Sequence, residues 1–175
     1  SKVECDEETV KVDKEPIKIT KNQESIEIVE GKSKTLGDLF EVRYSVSGGT
    51  LQYLSNQNDE KNIINDMSEL KNGEAEIEII ATSGSGIVSR ETTSVEVRKN
   101  KVTYDYWTNG GTTATKEVGE VSYNGLADLG VEATKAGYTF VGWNEYATSH
   151  VGLKEKKITK DTTLYAIYKK EVTAE

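Results

Sequence analysis

The sequence predicts a mainly β protein made of two small domains. Apolar and polar residues alternate with a period of two in many short stretches, which is typical of strands with one buried face. Thr, Val, Ile and Tyr carry most of this pattern, and these residue types favour strands. A chain of 175 residues suits one domain or two small ones, and the balance of charge changes near the polar segment 98–101. We therefore predict domains at residues 1–100 and 101–175.

The first predicted domain contains a series of short alternating stretches. Val10 and Val12 alternate with charged residues, either as a first strand or as the tail of a preceding module. Five clearer stretches follow, at residues 17–19, 26–28, 42–46, 75–79 and 95–97. Turn-forming residues separate them, at Gly31, 47–49, 72–73 and 83–86. Several short strands at regular spacing predict a β-sandwich.

Two places interrupt the period of two. Ile63, Met67 and Leu70 have helical spacing, which predicts one short helical turn that caps the sandwich. In the second domain, Leu126 and Leu129 have the spacing of a single helical turn.

Segment 77–97 resembles the last hairpin of bacterial immunoglobulin-like or cadherin-like surface modules. It has an alternating stretch at 77–82, a Ser-Gly turn at 83–86 and a second stretch at 93–97. The resemblance implies an immunoglobulin-like β-sandwich over residues 17–99. Calcium sites of the cadherin type need Asp-rich motifs, and the sequence has no Asp-x-Asp. The nearest group is interpreted as a solvated loop and consists of Asn56, Asn58, Asp59 and Glu60.

The second predicted domain is organised around segment 137–143. This segment holds one of the two Phe and one of the two Trp of the chain, together with Gly137 and Gly142. Large rings must be buried for a small domain to fold, and Gly lets another strand approach closely. We therefore predict that it is the folding anchor rather than an exposed binding patch. Strands are predicted at 102–106 and 117–123, with a tight turn at 109–112, and segment 158–168 is predicted to be a turn followed by a closing strand.

Four pieces of this domain resemble the Listeria–Bacteroides repeat, the family of the internalin B-repeat. In order they are 102–105 with Asn109-Gly110-Gly111, the anchor 137–143, segment 158–163 and segment 164–166. The resemblance covers residues 102–168 and implies a small β-grasp, ubiquitin-like fold in extracellular bacterial proteins, without catalytic residues. The sequence departs from the family at Lys135 and Ala136, where Pro is usual, and at Tyr168, where Trp is usual.

Composition excludes several classes of partner and site. The net charge of −8 disfavours nucleic acid and anionic membrane surfaces, and no apolar run is long enough to span a membrane. Cys5 is the only cysteine, so we expect no intrachain disulfide and an incidental thiol. The chain has no recognisable secretion signal or sorting tail, and we expect it to be a piece of a longer protein.

No catalytic constellation is visible in the sequence. His150 is the only histidine and lies in a predicted loop, so a metal site of the His/Cys type is not expected. No motif pairs a nucleophile with a base, and we expect neither an enzyme nor a cofactor. An internal cross-link between a Lys and an Asn, assisted by a buried acid, stays open because both residue types are plentiful.

Aromatic residues are the remaining candidates for ligand binding. Tyr104, Tyr106, Trp107 and Tyr146 are candidates for a platform that binds sugar or protein. Trp107 and Tyr146 are the ligand-binding candidates, and Trp107 comes first because Tyr104 and Tyr106 share the opposite face of its strand. The alternative is that about half of the four rings line the core.

These inferences favour a non-catalytic piece of a bacterial cell-surface protein, extracellular and attached to the cell wall. Its role would be that of a stalk or spacer and of an adhesion module. The expected partners are a host or matrix protein or glycan and the neighbouring domains of the parent chain. The alternative is a pair of accessory domains that bind polysaccharide for a secreted enzyme.

Overall fold

The computed structural model describes residues 17–44, 48–57, 60–112 and 118–172. These residues are mainly β, as the sequence predicts, and they contain no α-helix. They group into two compact units, one with the described residues of 17–27 and 33–96 and the other with those of 28–32 and 97–172. No helix in the described ranges is long and apolar enough to cross a membrane. The predicted strand at Val10 and Val12 lies outside the described residues, as does Cys5.

The described residues between 17 and 98 form seven strands in two sheets. In the smaller sheet, β1 (Lys18–Lys21) pairs antiparallel with β3 (Phe40–Arg43). The larger sheet contains β2 (Ser25–Val29), β4 (Thr50–Ser55), β5 (Asn62–Ile63), β6 (Gly73–Thr82) and β7 (Val88–Arg98). Its strand order is β2-β7-β6-β4-β5, and β4 runs antiparallel to both β5 and β6.

Strand β6 shows how apolar and polar residues that alternate along a strand become buried and exposed in the first unit. Ala75, Ile77 and Ile79 are buried, while Glu74 and Glu76 between them are exposed. Full burial of each large apolar side chain contributes about 1.5–3 kcal/mol. The predicted strands at 75–79, 26–28 and 95–97 are confirmed in β6, β2 and β7.

The helical turn predicted before residue 72 is correct in place but wrong in extent. Met67–Glu69 forms a 3-10 turn, and Met67 and Leu70 are buried as expected. Ile63, however, belongs to β5 and is 58% exposed. The turn starts at Asp66, whose side chain accepts a hydrogen bond from the Ser68 amide and thereby caps it. A second 3-10 turn, Leu36–Leu39, was not predicted.

The second unit is built on a four-stranded mixed sheet. Its strands are β8 (Asn100–Asp105), β9 (Val118–Val121), β11 (Tyr138–Asn144) and β13 (Thr162–Lys170), in the order β11-β13-β8-β9. Strands β8 and β13 are parallel, with Val102 opposite Thr162, and the other pairs are antiparallel. The predicted first and last strands are confirmed, and β9 lies within the second predicted strand.

A small two-stranded sheet replaces the helical turn predicted at Leu126 and Leu129. Leu126 lies in β10 (Gly125–Leu126), which pairs with β12 (Lys157–Ile158), and it is 56% exposed. Leu129 lies in a turn and packs, half-buried, against the core. The prediction is wrong because two leucines three residues apart do not identify a helix without further periodic residues.

Trp143 lies at the centre of the core of the second unit and is fully buried. Three rings contact it edge-on, with centroid distances of 5.0 Å to Tyr104, 5.2 Å to Tyr106 and 5.4 Å to Phe140. Such aromatic pairs contribute about 0.5–1.5 kcal/mol beyond the area that they bury. The prediction that segment 137–143 is the folding anchor is therefore confirmed.

Strand β11 contains an irregularity that positions the loop after it. The register with β13 shifts between Phe140 and Gly142, and Gly142 has a φ of +144°. A Cβ at Gly142 would lie 2.9 Å from the Cα of Gly152, so the two glycine backbones are in direct contact. Because both positions are glycine, Gly152, which follows loop 145–151, packs directly against β11.

Candidate functional site

Two of the four candidate aromatic residues belong to the core. Tyr104 and Tyr106 are buried against Trp143, which rules out a platform of all four rings and confirms the alternative that about half of them line the core. The Tyr104 hydroxyl donates a 2.7 Å hydrogen bond to the Asp128 carbonyl oxygen. Burial, followed by the nearby charges of Asp128 and Tyr106, raises the pKa of Tyr104 above its ordinary value. Its hydroxyl is therefore a structural donor.

The other two candidates are exposed. Trp107 is 51% exposed and Tyr146 is 68% exposed. The Trp107 ring lies 5.6 Å from Tyr106, edge-on, and no ring contact joins it to Tyr146 in the described part of the chain. Their role in binding stays a prediction.

Asp105 holds the backbone at Trp107. Its Oδ1 accepts hydrogen bonds from the amides of Trp107 and Thr108, both at 2.9 Å, and its Oδ2 accepts one from the Thr108 hydroxyl. Partial burial acts to raise the pKa of Asp105, but these three bonds outweigh it and hold the pKa below the ordinary value.

A cleft that the sequence did not predict lies on the second unit. We call it the Lys135 cleft, and its volume is about 540 Å³. This volume falls within the range of small-molecule sites. Its lining residues come from four separate segments and are Asn109, Lys135, Tyr138, Ala147, Thr148, Ser149, His150, Ile167 and Tyr168.

Asn109 forms hydrogen bonds with three other parts of the chain around the cleft. Its side-chain Nδ2 donates hydrogen bonds to the carbonyl oxygens of Ala147, at 3.0 Å, and Ala166, at 2.9 Å. Its own carbonyl oxygen accepts a 2.8 Å hydrogen bond from the Nζ of Lys135. Gly110 follows with a φ of +89°, and a Cβ there would lie 3.0 Å from the Cε and Nζ of Lys135. The Asn-Gly turn is therefore shaped to let the lysine lie across it.

Among the described residues that line the cleft, Lys135 is the only lysine or arginine. Its Nζ lies 4.0 Å from the ring centroid of Tyr138 and 5.8 Å from that of Tyr168, within the range of cation–π attraction. No carboxylate of the described residues forms an ion pair with it. Lys170 lies opposite Tyr138 in the β11–β13 register and therefore on the same face of the sheet.

The Tyr168 ring forms another part of the wall. Its hydroxyl is 3.4 Å from the Tyr106 carbonyl oxygen, to which it donates. Burial, together with the nearby Tyr106 and Asp105, raises the pKa of Tyr168 above its ordinary value. The hydroxyl therefore stays protonated at neutral pH and keeps its proton for donation.

Loop 145–151, which carries the cleft residues Ser149 and His150, is held by Asn144. The Nδ2 of Asn144 donates to the Ser149 hydroxyl at 3.0 Å and to the Val151 carbonyl oxygen at 3.1 Å. The Oδ1 of Asn144 accepts a 3.0 Å hydrogen bond from the Tyr146 amide. These bonds give the loop one defined geometry.

The arrangement provides a cation, hydroxyl groups and aromatic rings for binding. The Ser149 hydroxyl is engaged with Asn144 and Val151, and His150 is exposed on the loop. Over the described ranges, no group of three or more His, Cys, Asp or Glu side chains could hold a metal ion. Of the group interpreted as a solvated loop, Asn56 accepts a 2.8 Å hydrogen bond from the Glu76 amide, and Asn58 and Asp59 lie outside the described residues.

No lysine of the described residues is fully buried, as an internal Lys–Asn cross-link in the core would require. Asn100 and Asn144 are buried, and the side chain of Asn100 has no hydrogen-bond partner. Every lysine in the described ranges is half-buried or exposed, and the cross-link stays a hypothesis.

Comparison with known proteins gives one match. Residues 101–167 match the Listeria-Bacteroides repeat domain family. No curated protein and no solved structure was found to match the chain. The match confirms the resemblance stated from the sequence for residues 102–168. It includes Asn109 and Lys135 and ends one residue before Tyr168.

Proposed function

We propose, from the match of residues 101–167 to the Listeria-Bacteroides repeat domain, that this chain is a non-catalytic spacer segment of a bacterial cell-surface protein. The family is typical of bacterial surface proteins, and this match is the observation that carries the proposal. The segment would stand outside the cell, attached to the wall through its parent chain. It would hold neighbouring domains of that chain away from the surface.

The proposed fold is an immunoglobulin-like β-sandwich followed by a small β-grasp unit. The two sheets formed by residues 17–98, with their alternating strands, support the first part. In the second unit, the first and last strands, β8 and β13, lie side by side and parallel in the middle of the sheet. This central parallel pair, with antiparallel strands outside it, supports the β-grasp assignment.

The strand order of the second unit suits a segment under tension. Residues 102–105 of β8 pair in parallel with residues 162–165 of β13. When the unit is pulled through its two ends, these strands must slide past each other. Their hydrogen bonds then bear the load together rather than opening one at a time. A spacer on a cell surface benefits from this resistance.

Single-molecule force spectroscopy tests the spacer function. We expect the second unit to unfold at a several-fold higher force when it is pulled through its chain ends than when it is unzipped. The unzipping control attaches the handles through Lys99→Cys and Lys160→Cys, which lie at the same end of the parallel pair, in a Cys5→Ser background. Equal forces in the two geometries would count against a load-bearing role.

An adhesion or polysaccharide-binding function is the second candidate. The exposure of Trp107 and Tyr146 favours it, because exposed aromatic rings are common contacts for sugars and proteins. A screen of glycans and host proteins against the intact chain, beside Trp107→Ala and Tyr146→Ala, tests it. Saturable binding that either variant loses, with the fold kept, would support recognition. Binding that neither variant changes would contradict a role for these two rings.

A further inference from the structure

We infer that the Lys135 cleft binds a saccharide that carries a carboxylate group. The inference is independent of the spacer function, because it uses the side chains of the cleft and not the strand order. It also differs from the aromatic candidates Trp107 and Tyr146, neither of which lines the cleft.

The charge of Lys135 is the first feature that points to an anionic ligand. Lys135 is half-buried, and its ammonium contacts one carbonyl oxygen and two tyrosine rings. No carboxylate of the described residues forms an ion pair with it. Lysine has three donors, and Asn109 accepts from one of them. The remaining donors suit a carboxylate from a ligand.

The rest of the cleft wall combines aromatic and polar side chains. Tyr138 and Tyr168 supply aromatic surface, and Thr148 supplies a hydroxyl group. A sugar ring has apolar C–H faces that pack on aromatic rings and hydroxyl groups that exchange hydrogen bonds with polar side chains. A phosphate or sulfate ion would interact with the Lys135 charge but would not pack on the aromatic rings. This combination therefore favours an acidic sugar.

The side chains of the cleft are held in place before a ligand binds. Asn109 and Asn144 hold the two loops of the cleft through four hydrogen bonds from their side-chain amides. Gly110 leaves room for Lys135 to lie on the turn. Because these groups are already in place, a ligand need not order them, and less binding free energy is lost.

An NMR titration of the intact ¹⁵N-labelled chain tests the inference. The probes are a tetrasaccharide of alternating glucuronate and N-acetylglucosamine, the neutral N-acetylglucosamine tetramer, and sodium sulfate. We expect saturable shifts around Asn109, Lys135, Tyr138 and Ser149 with the acidic tetrasaccharide. We expect affinity for the neutral tetramer to be at least about 10-fold weaker, as for the loss of one charge-assisted hydrogen bond.

Variants of the cleft lysine provide the matched comparison. Lys135→Met should weaken binding of the acidic tetrasaccharide at least about 10-fold. Lys154→Met removes a charge from an exposed lysine outside the cleft and should leave it unchanged. If Lys135→Met does not fold, the comparison of acidic and neutral probes on the unchanged chain decides the question.

Three results would overturn the inference. The first is the absence of saturable shifts with the acidic tetrasaccharide. The second is equal affinity for the acidic and neutral tetramers, which would remove the role of the lysine. The third is the same set of shifts with sulfate at equal affinity, which would show that the cleft recognises charge and not sugar. None of these results bears on the force measurement.

Discussion

The indole Nε1 of Trp143 donates a 2.6 Å hydrogen bond to the carbonyl oxygen of Val131 inside the core of the second unit. The bond joins strand β11 to an irregular segment that contributes Ala127, Val131 and Ala133 to the same core. A buried backbone carbonyl without a partner is unfavourable, and here the anchor residue itself supplies that partner. The Trp143 ring therefore fills the core and also donates a hydrogen bond to the Val131 carbonyl oxygen, which lies outside the strands.

Replacement of Trp143 by Phe should destabilise the second unit by about 2–4 kcal/mol. The smaller ring leaves a cavity among Tyr104, Tyr106 and Phe140, and the Val131 carbonyl oxygen loses its donor. Urea unfolding monitored by circular dichroism and by the fluorescence of the remaining tryptophan measures the change. Both tryptophans lie in this unit, so their fluorescence reports on it.

The control for this substitution is Trp107→Phe, at an exposed position. Its effect should stay within about 0.5 kcal/mol, as for most surface substitutions. An equal loss in the two variants would contradict the central role of Trp143.

Replacement of Gly111 by Ala should destabilise the second unit by about 1–3 kcal/mol. A Cβ at Gly111 would lie 2.2 Å from the Tyr106 carbonyl oxygen and 2.1 Å from the Tyr168 hydroxyl. The carbonyl belongs to the backbone and already accepts the Gly111 amide, so it has little freedom to move. Thermal unfolding monitored by tryptophan fluorescence measures the loss.

Gly130→Ala is the matched control for this prediction. The nearest atom to a Cβ at Gly130 is the Oδ1 of the exposed Asp128, at 3.2 Å, which can shift. We expect a change within about 0.5 kcal/mol. If Gly111→Ala were tolerated equally well, steric exclusion would not explain the glycine there.

Asp161 should make the stability of the second unit depend on pH. Its Oδ1 accepts hydrogen bonds from the Lys101 amide and the Arg98 Nη1, both at 2.9 Å. First the Lys101 bond and then the Arg98 bond lower the pKa of this carboxyl below its ordinary value. The resulting stability is fully present above the ordinary pKa of about 4 and is lost as the pH falls through the lowered value.

Asp161→Asn tests this dependence. Because the side chain is more than half exposed, solvent screening limits the loss at neutral pH to about 1 kcal/mol or less. Unfolding free energies measured from about pH 6 to pH 2 should converge with those of the unchanged chain at the acid end. Glu155→Gln, at another exposed acid, should give a curve parallel to that of the unchanged chain. A constant difference across the pH range would refute the assignment to Asp161.

Replacement of Asp66 by Ala should destabilise the first unit by about 1 kcal/mol. The Asp66 carboxylate accepts from the Ser68 amide at 2.9 Å, the Lys34 amide at 3.3 Å and the Ser33 hydroxyl at 3.0 Å. Met67 is the only methionine of the chain, so its methyl NMR signal follows the unfolding of this unit in urea. Glu24→Ala, at an exposed residue, should leave the midpoint unchanged. Equal midpoints for the two variants would contradict the capping role.

A strand was predictable from the sequence where the alternation of its own residues is enough to identify it. In β6, the side chains alternate between core and solvent, and that period is visible without any partner strand. The positions of Ile63 and Leu126 were not predictable in this way. Their spacing fits a helical turn, but both residues pair with other strands. Strand pairing depends on residues distant in sequence, which local spacing does not include.

The cleft was less predictable than the strands. The sequence marked Lys135 as a departure from the family, and Asn109 and Gly110 as a turn. No local pattern relates these residues to loop 145–151. Their meeting depends on hydrogen bonds from Asn109 to Ala147 and Ala166, in two other parts of the chain.

The sequence by itself determined the mainly β class, the aromatic anchor and the resemblance of residues 102–168 to a repeat family. These properties depend on the order of residue types along short segments, and the longer strands carry their own alternation. Only the tertiary structure decided that Tyr104 and Tyr106 are buried while Trp107 is exposed, and that Lys135 faces a cleft. Burial and charge pairing depend on which segments pack together, and that packing joins residues far apart in the chain.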